Sequence, residues 1–598
     1  MSTYQDRLAA LRDELARRRL DGFVVPLTDE HMSEYVGAYA QRLAWLTGFE
    51  GSAGAAVVLS EAAAIFVDGR YTLQVREQVS ADAWSYQSVP DTSIADWLKA
   101  HAPRGGRIGY DPWLHTKRWV TAAAKALATR GAELVAVETN PIDAVWPDQP
   151  APSDARLIVQ PDTLAGVSAA TKRQEIADML TRDGVDVVVL SALDSIAWAF
   201  NVRGQDVSRT PVALAYALVR ADATADLFVD PGKIDEAVAA HLGNAVRVQP
   251  REAFAGALAG LGGQTVTVDP DRAVAAIFEQ LAEGGAHIVE ARDPVVLPKA
   301  IKNHAEIAGT TAAHVRDGAA ATRFLHWVDT VAASGGQDEL TAAARLEAFR
   351  AETGALRDLS FDTISGAGPN GAVVHYRVSE ATVRPIEPGT LYLVDSGGQY
   401  ADGTTDITRT LPIGEPTAEM KDRFTRVLKG HIALARAVFP VGTRGGQLDT
   451  LARQYLWAVG LDYAHGTGHG VGSYLGVHEG PQRIASPSGG QSGGDEPLAA
   501  GMILSNEPGY YKTGAYGIRI ENLVLVVPRE VQGAEKPLLG FHTLTLAPID
   551  RRLVDLSLIS ADERDWLDAY HARVAAEIGP LVPADVRDWL ASATAPLG

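Results

Sequence analysis

The apolar and polar positions of the first half of the chain repeat. At an offset of 165 residues, Leu11, Leu15, Leu20, Asp21, Val24 and Val25 fall over Ile176, Leu180, Val185, Asp186, Val189 and Leu190. In each copy, apolar residues at helical spacing run into a continuous apolar stretch, which predicts an amphipathic helix leading into a buried strand. Farther on, AIFVD at 64–68 matches DLFVD at 226–230 at a slightly shorter spacing. Two matches in the same order predict a duplicated α/β domain. Between the copies lies PDQPAPSD, where prolines and small polar residues disfavour regular structure, and a second boundary is expected near Pro294 to Pro298. The expected domains are therefore 1–152, 153–298 and 299–598.

The last segment is patterned differently. Leu391 to Val394 reads as a strand, Ser396 to Gly403 as a turn, and the Thr-rich stretch after it as a returning strand. GMILSNEPGYY is an apolar strand stopped by Pro508 and Gly509, and YGIRIENLVLVV is a second strand. At the C-terminal end, Ser560 with Glu563 forms a capping box, and Trp566, Leu567, Tyr570, Val574 and Ile578 mark a helical apolar face.

Length and charge narrow the class. A chain of 598 residues exceeds what a single core usually reaches and points to about three or four domains. No apolar run approaches the roughly 20 residues of a membrane span, and the N-terminal stretch is a charged amphipathic helix rather than a secretion signal. A net charge of −20 argues against non-specific binding to nucleic acid or anionic membrane, and Arg17 to Arg19 reads as a solvated helix face. With no cysteine there are no disulfides or thiolate ligands, and a cytoplasmic protein is the default expectation.

Chemistry gathers in the last third. Asp395 and Asp406, eleven positions apart, are placed to face each other across the predicted hairpin. Two carboxylates that close repel, so one stays protonated at neutral pH unless a cation neutralises both. Glu507 ends one strand, and alternation on the next puts Ile518 and Ile520 on one face and Arg519 and Glu521 on the other. Between these pairs, HGTGHGVG presents His469, with His465 four residues earlier, on glycines that permit close backbone approach. Singly, each acid reads as a solvated strand-end residue. Together, on apolar strands, they need pairing or a cation. Four carboxylates and an imidazole suit Mn, Co or Zn, and two such ions would balance four negative charges. Pairs of this kind, roughly 3.5–4 Å apart, activate water and polarise a scissile carbonyl.

These motifs, VDSGGQYADGTTDITRT, HGTGHGVG, NEPGYY and GIRIEN, resemble those of the Xaa-Pro aminopeptidases of the pita-bread metallopeptidase superfamily. The likeness continues in FDTISGAGPNGAVVHY, in KAIKNHAEIAGTTAAHVRDGAAA and in VHEGP, and covers most of 299–550. It implies a mixed α/β and α+β fold, with two creatinase-like N-terminal α/β domains before a pita-bread catalytic domain carrying a C-terminal helical extension. It implies that Asp395, Asp406, His469, Glu507 and Glu521 hold two divalent ions, Mn by family habit, with Asp406 and Glu521 bridging. His375, His465 and His478 match histidines that contact substrate or steady the tetrahedral intermediate, and Arg519 matches an arginine beside the bridging glutamate. The implied reaction is release of the first residue from peptides whose second residue is proline, with Glu507 handling the proton of the attacking water. The implied assembly is a homodimer. Asn506 departs from the acidic residue the family often has before the ligand glutamate, and alternation points it away from Glu507.

Three other readings compete. A prolidase uses a similar metal set on dipeptides, but the duplicated first half and the C-terminal extension favour the aminopeptidase. A non-catalytic pita-bread binding module need not keep all five ligand positions, which are intact here. Gly366, Gly368 and Gly371 form a GxGxxG pattern, but turn residues and the strand-like AVVHYRV follow it rather than a helix start, so it carries no dinucleotide site.

Overall fold

A computed structural model describes residues 3–89, 91–486 and 493–597. The chain forms two compact units, Met1–Val296 and Leu297–Gly598.

In the first unit the duplication is visible strand by strand. Helix Tyr4–Arg17, capped by Thr3 and Asp6, precedes strand Gly22–Pro26, and helix Ala169–Asp183, capped by Ser168, precedes strand Val187–Leu190. The two helices begin 165 residues apart, as do the two strands, matching the sequence offset. Each strand sits inside a six-stranded sheet of the same order. Gly22–Pro26 pairs antiparallel with Ala55–Leu59 and parallel with Arg107–Tyr110, just as Val187–Leu190 pairs with Tyr216–Arg220 and Thr265–Val268. The two FVD segments lie at corresponding positions, in or just after strands Ala63–Val67 and Ala225–Phe228. Buried on both faces, these strands read as unbroken apolar runs rather than alternating ones. Residues 149–157, which begin within the proline-rich stretch and run just past it, carry no regular structure.

In the second unit, helix His304–Thr330 starts at a capping box of Asn303 and Glu306. Strands Ile364–Ala367, Thr390–Ser396 and Ile407–Ile413 form one sheet. A six-stranded sheet places Ile503–Asn506 between Asn522–Arg529 and Gly468–Gly470. Helix Ala561–Ile578 has the capping box of Ser560 and Glu563 and buries Leu567, Tyr570, Val574 and Ile578 in a core that also holds Phe424, Val427 and Ile432 of helix Ala418–Ala435. Trp566 packs on that core while partly exposed. No described helix is long and apolar enough to cross a membrane.

Three local expectations change. The segment predicted as a turn after Ser396 contains a small hairpin, Gly398–Tyr400 with Gly403–Thr404, which also pairs with Leu356–Leu359. Its glycines serve close approach as well as turning: a Cβ on Gly397 would stand 1.9 Å from the Thr405 carbonyl oxygen. The single strand predicted over YGIRIENLVLVV breaks at Ile520 and Glu521, so that Tyr516–Arg519 pairs with Gly509–Lys512 while Asn522–Arg529 joins the larger sheet. AVVHYRV is irregular, because side chains rather than a strand ladder hold it. The GxGxxG glycines span a strand and the short turn Gly368–Ala372, with no helix start after them.

Because Ser560 Oγ accepts from the Glu563 amide and the Glu563 carboxylate accepts from the Ser560 amide, Ser560→Ala is expected to cost about 1 kcal/mol. Chemical denaturation of the whole chain measures this.

Candidate metal centre

Each acidic side chain reaches the site from the end or break of a strand. Asp395 lies in Thr390–Ser396, opposite Thr408 of the returning strand and Ile364 of the third. Asp406 stands immediately before that returning strand. Glu507 follows Ile503–Asn506, where Pro508 ends pairing, and its amide donates to the Thr467 carbonyl at 2.8 Å. Glu521 occupies the strand break, its amide donating to the Thr408 carbonyl at 3.2 Å. His469 comes in on Gly468–Gly470, seated against neighbouring backbone by its flanking glycines: a Cβ on Gly468 would meet the Ser505 carbonyl oxygen at 2.0 Å.

These residues converge. One ligand atom each from Asp406, His469 and Glu521 lies within 4.8 Å of the others. His469 Nε2 is 3.5 Å from both Asp406 Oδ2 and Glu507 Oε1. Its Nδ1 lies 2.9 Å from the Gly470 carbonyl, which can accept only from a protonated Nδ1, so in the neutral ring Nε2 is the lone-pair nitrogen turned toward the carboxylates. Arg519 donates to Asp395 at 2.7 Å, to the Tyr511 hydroxyl at 2.6 Å and to Thr408 Oγ1 at 3.1 Å. Ile518 and Ile520 turn into the core, so the alternation read from the sequence holds across the strand break.

The electrostatics are those of an undercompensated anionic site. Burial, reinforced by the neighbouring carboxylates, pushes the Asp406 and Glu521 carboxyls well above their ordinary range. Burial also pushes Glu507 up to about 7, with Arg519 opposing the shift and Asp395 adding to it. Asp395 Oδ1, Asp406 Oδ1 and Glu521 Oε1 are buried and have no hydrogen-bond partner. Buried acceptors are normally satisfied, so three orphaned oxygens in one cluster fit a cation that completes them. The residues present therefore suit hard or intermediate divalent ions.

The histidines separate by surroundings. His478 packs edge-on against His469, ring centroids 4.4 Å apart. His465 places Nδ1 on the Gly466 carbonyl at 2.8 Å and Nε2 on the Tyr511 hydroxyl at 2.8 Å, joining Asp395, Arg519 and Tyr511 in one chain of contacts. His375 sits half-buried on the irregular segment after Gly371. Asn506 turns away from the site, its amide donating to the His431 carbonyl at 2.9 Å.

Several supports of the site carry no signal in the sequence pattern. Ser505 accepts from the His469 amide at 2.9 Å and donates to Glu507 at 3.1 Å. Tyr511 closes the NEPGYY motif, where the sequence gives it no distinguishing mark. Arg409, fully buried, donates to the carbonyls of Thr408, Glu521, Ala547 and Pro548, to the Asn522 side chain and to the Tyr570 hydroxyl. It ties the C-terminal helix to the backbone of Glu521, and although it falls within VDSGGQYADGTTDITRT, nothing in that pattern sets it apart.

Raised folded-state pKa values mean that ionising Asp406 and Glu521 in the fold costs stability. That cost is absent below the ordinary carboxylate value of about 4 and grows as pH rises. Metal-stripped Asp406→Asn protein is therefore expected to melt higher than the stripped parent at pH 8, the gap closing toward pH 4. Calorimetry at the two pH values checks this, and a lower melting temperature at pH 8 would contradict it.

The model of metallopeptidase family M24 matches residues 308–528, and that of the C-terminal region of this peptidase family matches 537–597. Two creatinase/prolidase N-terminal domain models match 7–145 and 148–306. A probable Xaa-Pro aminopeptidase P of Aspergillus clavatus is 40% identical over 616 aligned positions, covering 99% of this chain and 93% of that protein. One from Laccaria bicolor is also 40% identical, with the same coverage. The crystal structure of an X-prolyl aminopeptidase from Caenorhabditis elegans, described as a cytosolic enzyme with a di-nuclear active site, is 35% identical and superposes with a TM-score of 0.94 over the whole of both chains. The chain thus belongs to metallopeptidase family M24, among the long Xaa-Pro aminopeptidases P that carry two creatinase-type N-terminal domains ahead of the catalytic one.

Proposed function

We propose that this protein is a metal-dependent aminopeptidase that releases the N-terminal residue from peptides with proline in second position. The observation that carries the reading is the gathering of Asp406, Glu507 and Glu521 at His469, with Asp395 beside them on Arg519 and three carboxylate oxygens left orphaned. In it, Asp395, Asp406, His469, Glu507 and Glu521 hold two divalent ions, Mn by family habit, with Co or Zn as alternatives. Such ions supply an activated water and a polarised carbonyl.

The chain's own groups do the rest. Glu507, at the edge of the cluster with Oε1 3.5 Å from His469 Nε2, takes the proton of the attacking water and delivers it to the proline nitrogen. Ser505, donating to Oε1, holds that carboxyl in place. His478, against His469, steadies the oxyanion. His465 acts through Tyr511 and Arg519, which orient Asp395, and His375 lines the proline side. Proline at the scissile bond gives a tertiary amide with a fixed ring geometry, which calls for a dedicated pocket. Full-length likeness to Xaa-Pro aminopeptidases P supports this substrate class over dipeptides. A cytoplasmic homodimer completes the reading, its location supported by the cytosolic Caenorhabditis elegans relative.

Hydrolysis of Arg-Pro-Pro and Gly-Pro by metal-stripped protein, before and after adding Mn, tests the proposal. Mn-dependent release of arginine from the tripeptide with little dipeptide turnover is expected, and preferential cleavage of Gly-Pro would move the assignment to a prolidase. Asp406→Asn is expected to lose bound metal and activity together; a metal-loaded, active variant would refute the role given to Asp406.

A further inference from the structure

His375 is carried on a stretch without regular structure, from Val373 to Glu387, and half-buried residues on such stretches drift unless something fixes the backbone. One buried side chain does so from outside it. Glu339 is the first residue of helix Glu339–Ala351 and has no exposed surface. Its carboxylate accepts from the Ala367 amide at 2.7 Å, the Asn370 side-chain amide at 2.9 Å, the Tyr376 hydroxyl at 3.0 Å and the Arg384 amide at 2.8 Å. These donors bracket His375 on both sides and include its immediate neighbour.

The network closes on itself. Asn370 also donates to the Thr382 carbonyl at 3.0 Å, the Tyr376 and Thr382 hydroxyls meet at 2.9 Å, and Arg384 Nε donates to Asn370 Oδ1 at 3.1 Å. Arg384 thus turns its Nε–H to Asn370, and the Glu339 carboxylate is held by hydrogen bonds and the positive end of its helix. Backbone pairing runs alongside: the Glu339 amide donates to the Arg384 carbonyl at 3.1 Å and the Ile386 amide to the Gln337 carbonyl at 2.9 Å. Ala367 and Ile386, which take part in these bonds, also belong to the apolar core cluster beneath, so the network fastens the loop to that core at both ends. A carboxylate buried there costs desolvation, and what it secures is the course of one loop.

We propose that Glu339 is a positioning residue that sets His375 for its contact with substrate, acting through Tyr376, Asn370 and the Arg384 backbone. The proposal rests on the aminopeptidase reading for what His375 touches, but the placement of the loop is independent of it.

The test uses the metal-loaded full chain with Glu339→Gln, and Tyr376→Phe as a milder second variant should the first fold poorly. Metal content is expected to stay at the parent level while kcat/KM for Arg-Pro-Pro falls about tenfold or more, since misplacement on the order of 1 Å can cost up to a hundredfold. If Glu339 acts through His375, the Glu339→Gln and His375→Ala losses will not add: the double variant will match His375→Ala alone. Additive losses overturn the proposal. Hydrogen exchange of the same proteins is expected to quicken only across residues 367–386, and unchanged exchange there overturns it even if the parent cleaves neither peptide, a result that would sink the aminopeptidase reading instead.

Discussion

Everything at the centre of the second unit depends on the repulsion among four carboxylates that strand geometry forces together out of water. Asp395, Asp406, Glu507 and Glu521 are buried or nearly so, and the Arg519 guanidinium offsets one negative charge. Inside a protein such a cluster either keeps protons or takes up a cation. The raised carboxyls of Asp406, Glu507 and Glu521 are the first answer, and the orphaned oxygens beside His469 Nε2 show room for the second.

Holding such a site in an unfavourable state requires a stiff frame. Arg409 uses its guanidinium on four backbone carbonyls and two side chains, including the carbonyl of Glu521 and the hydroxyl of Tyr570. The C-terminal helix, whose apolar face alone reads as packing, thereby becomes part of what keeps Glu521 in place. Asn506 and Asn522 both meet His431, which ties the two strands flanking the site to helix Ala418–Ala435. Hydrogen-bonded networks of this kind are costly if half satisfied and rigidifying when complete.

The sequence made the scaffold legible where one local rule decides the outcome. Helix-then-strand patterning exposed the duplication because both copies bury their strands on two faces, and the Ser560–Glu563 pair marked a helix start because a capping box is complete within four consecutive residues. The acids around His469 could be read because, ordinary as each is at the end or break of a strand, four of them recur on successive apolar strands, where together they need a cation. What stayed hidden was set by distant partners. The hairpin after Gly397 depends on the Thr405 carbonyl and on pairing with Leu356–Leu359, the break at Ile520 on two sheets competing for one strand, and the irregular course of AVVHYRV on Glu339, more than thirty residues upstream. Tyr511, Ser505 and Arg409 have no pattern of their own; only the fold brings them to the site.

The most direct test of the charge argument is calorimetric titration of metal-stripped protein with Mn near pH 7 in two buffers of different ionisation enthalpy. Two ions bound per chain, with net release of protons as the raised carboxyls ionise, is the predicted result. Binding without proton release, or no saturable binding, would contradict a carboxylate cluster held together by cations.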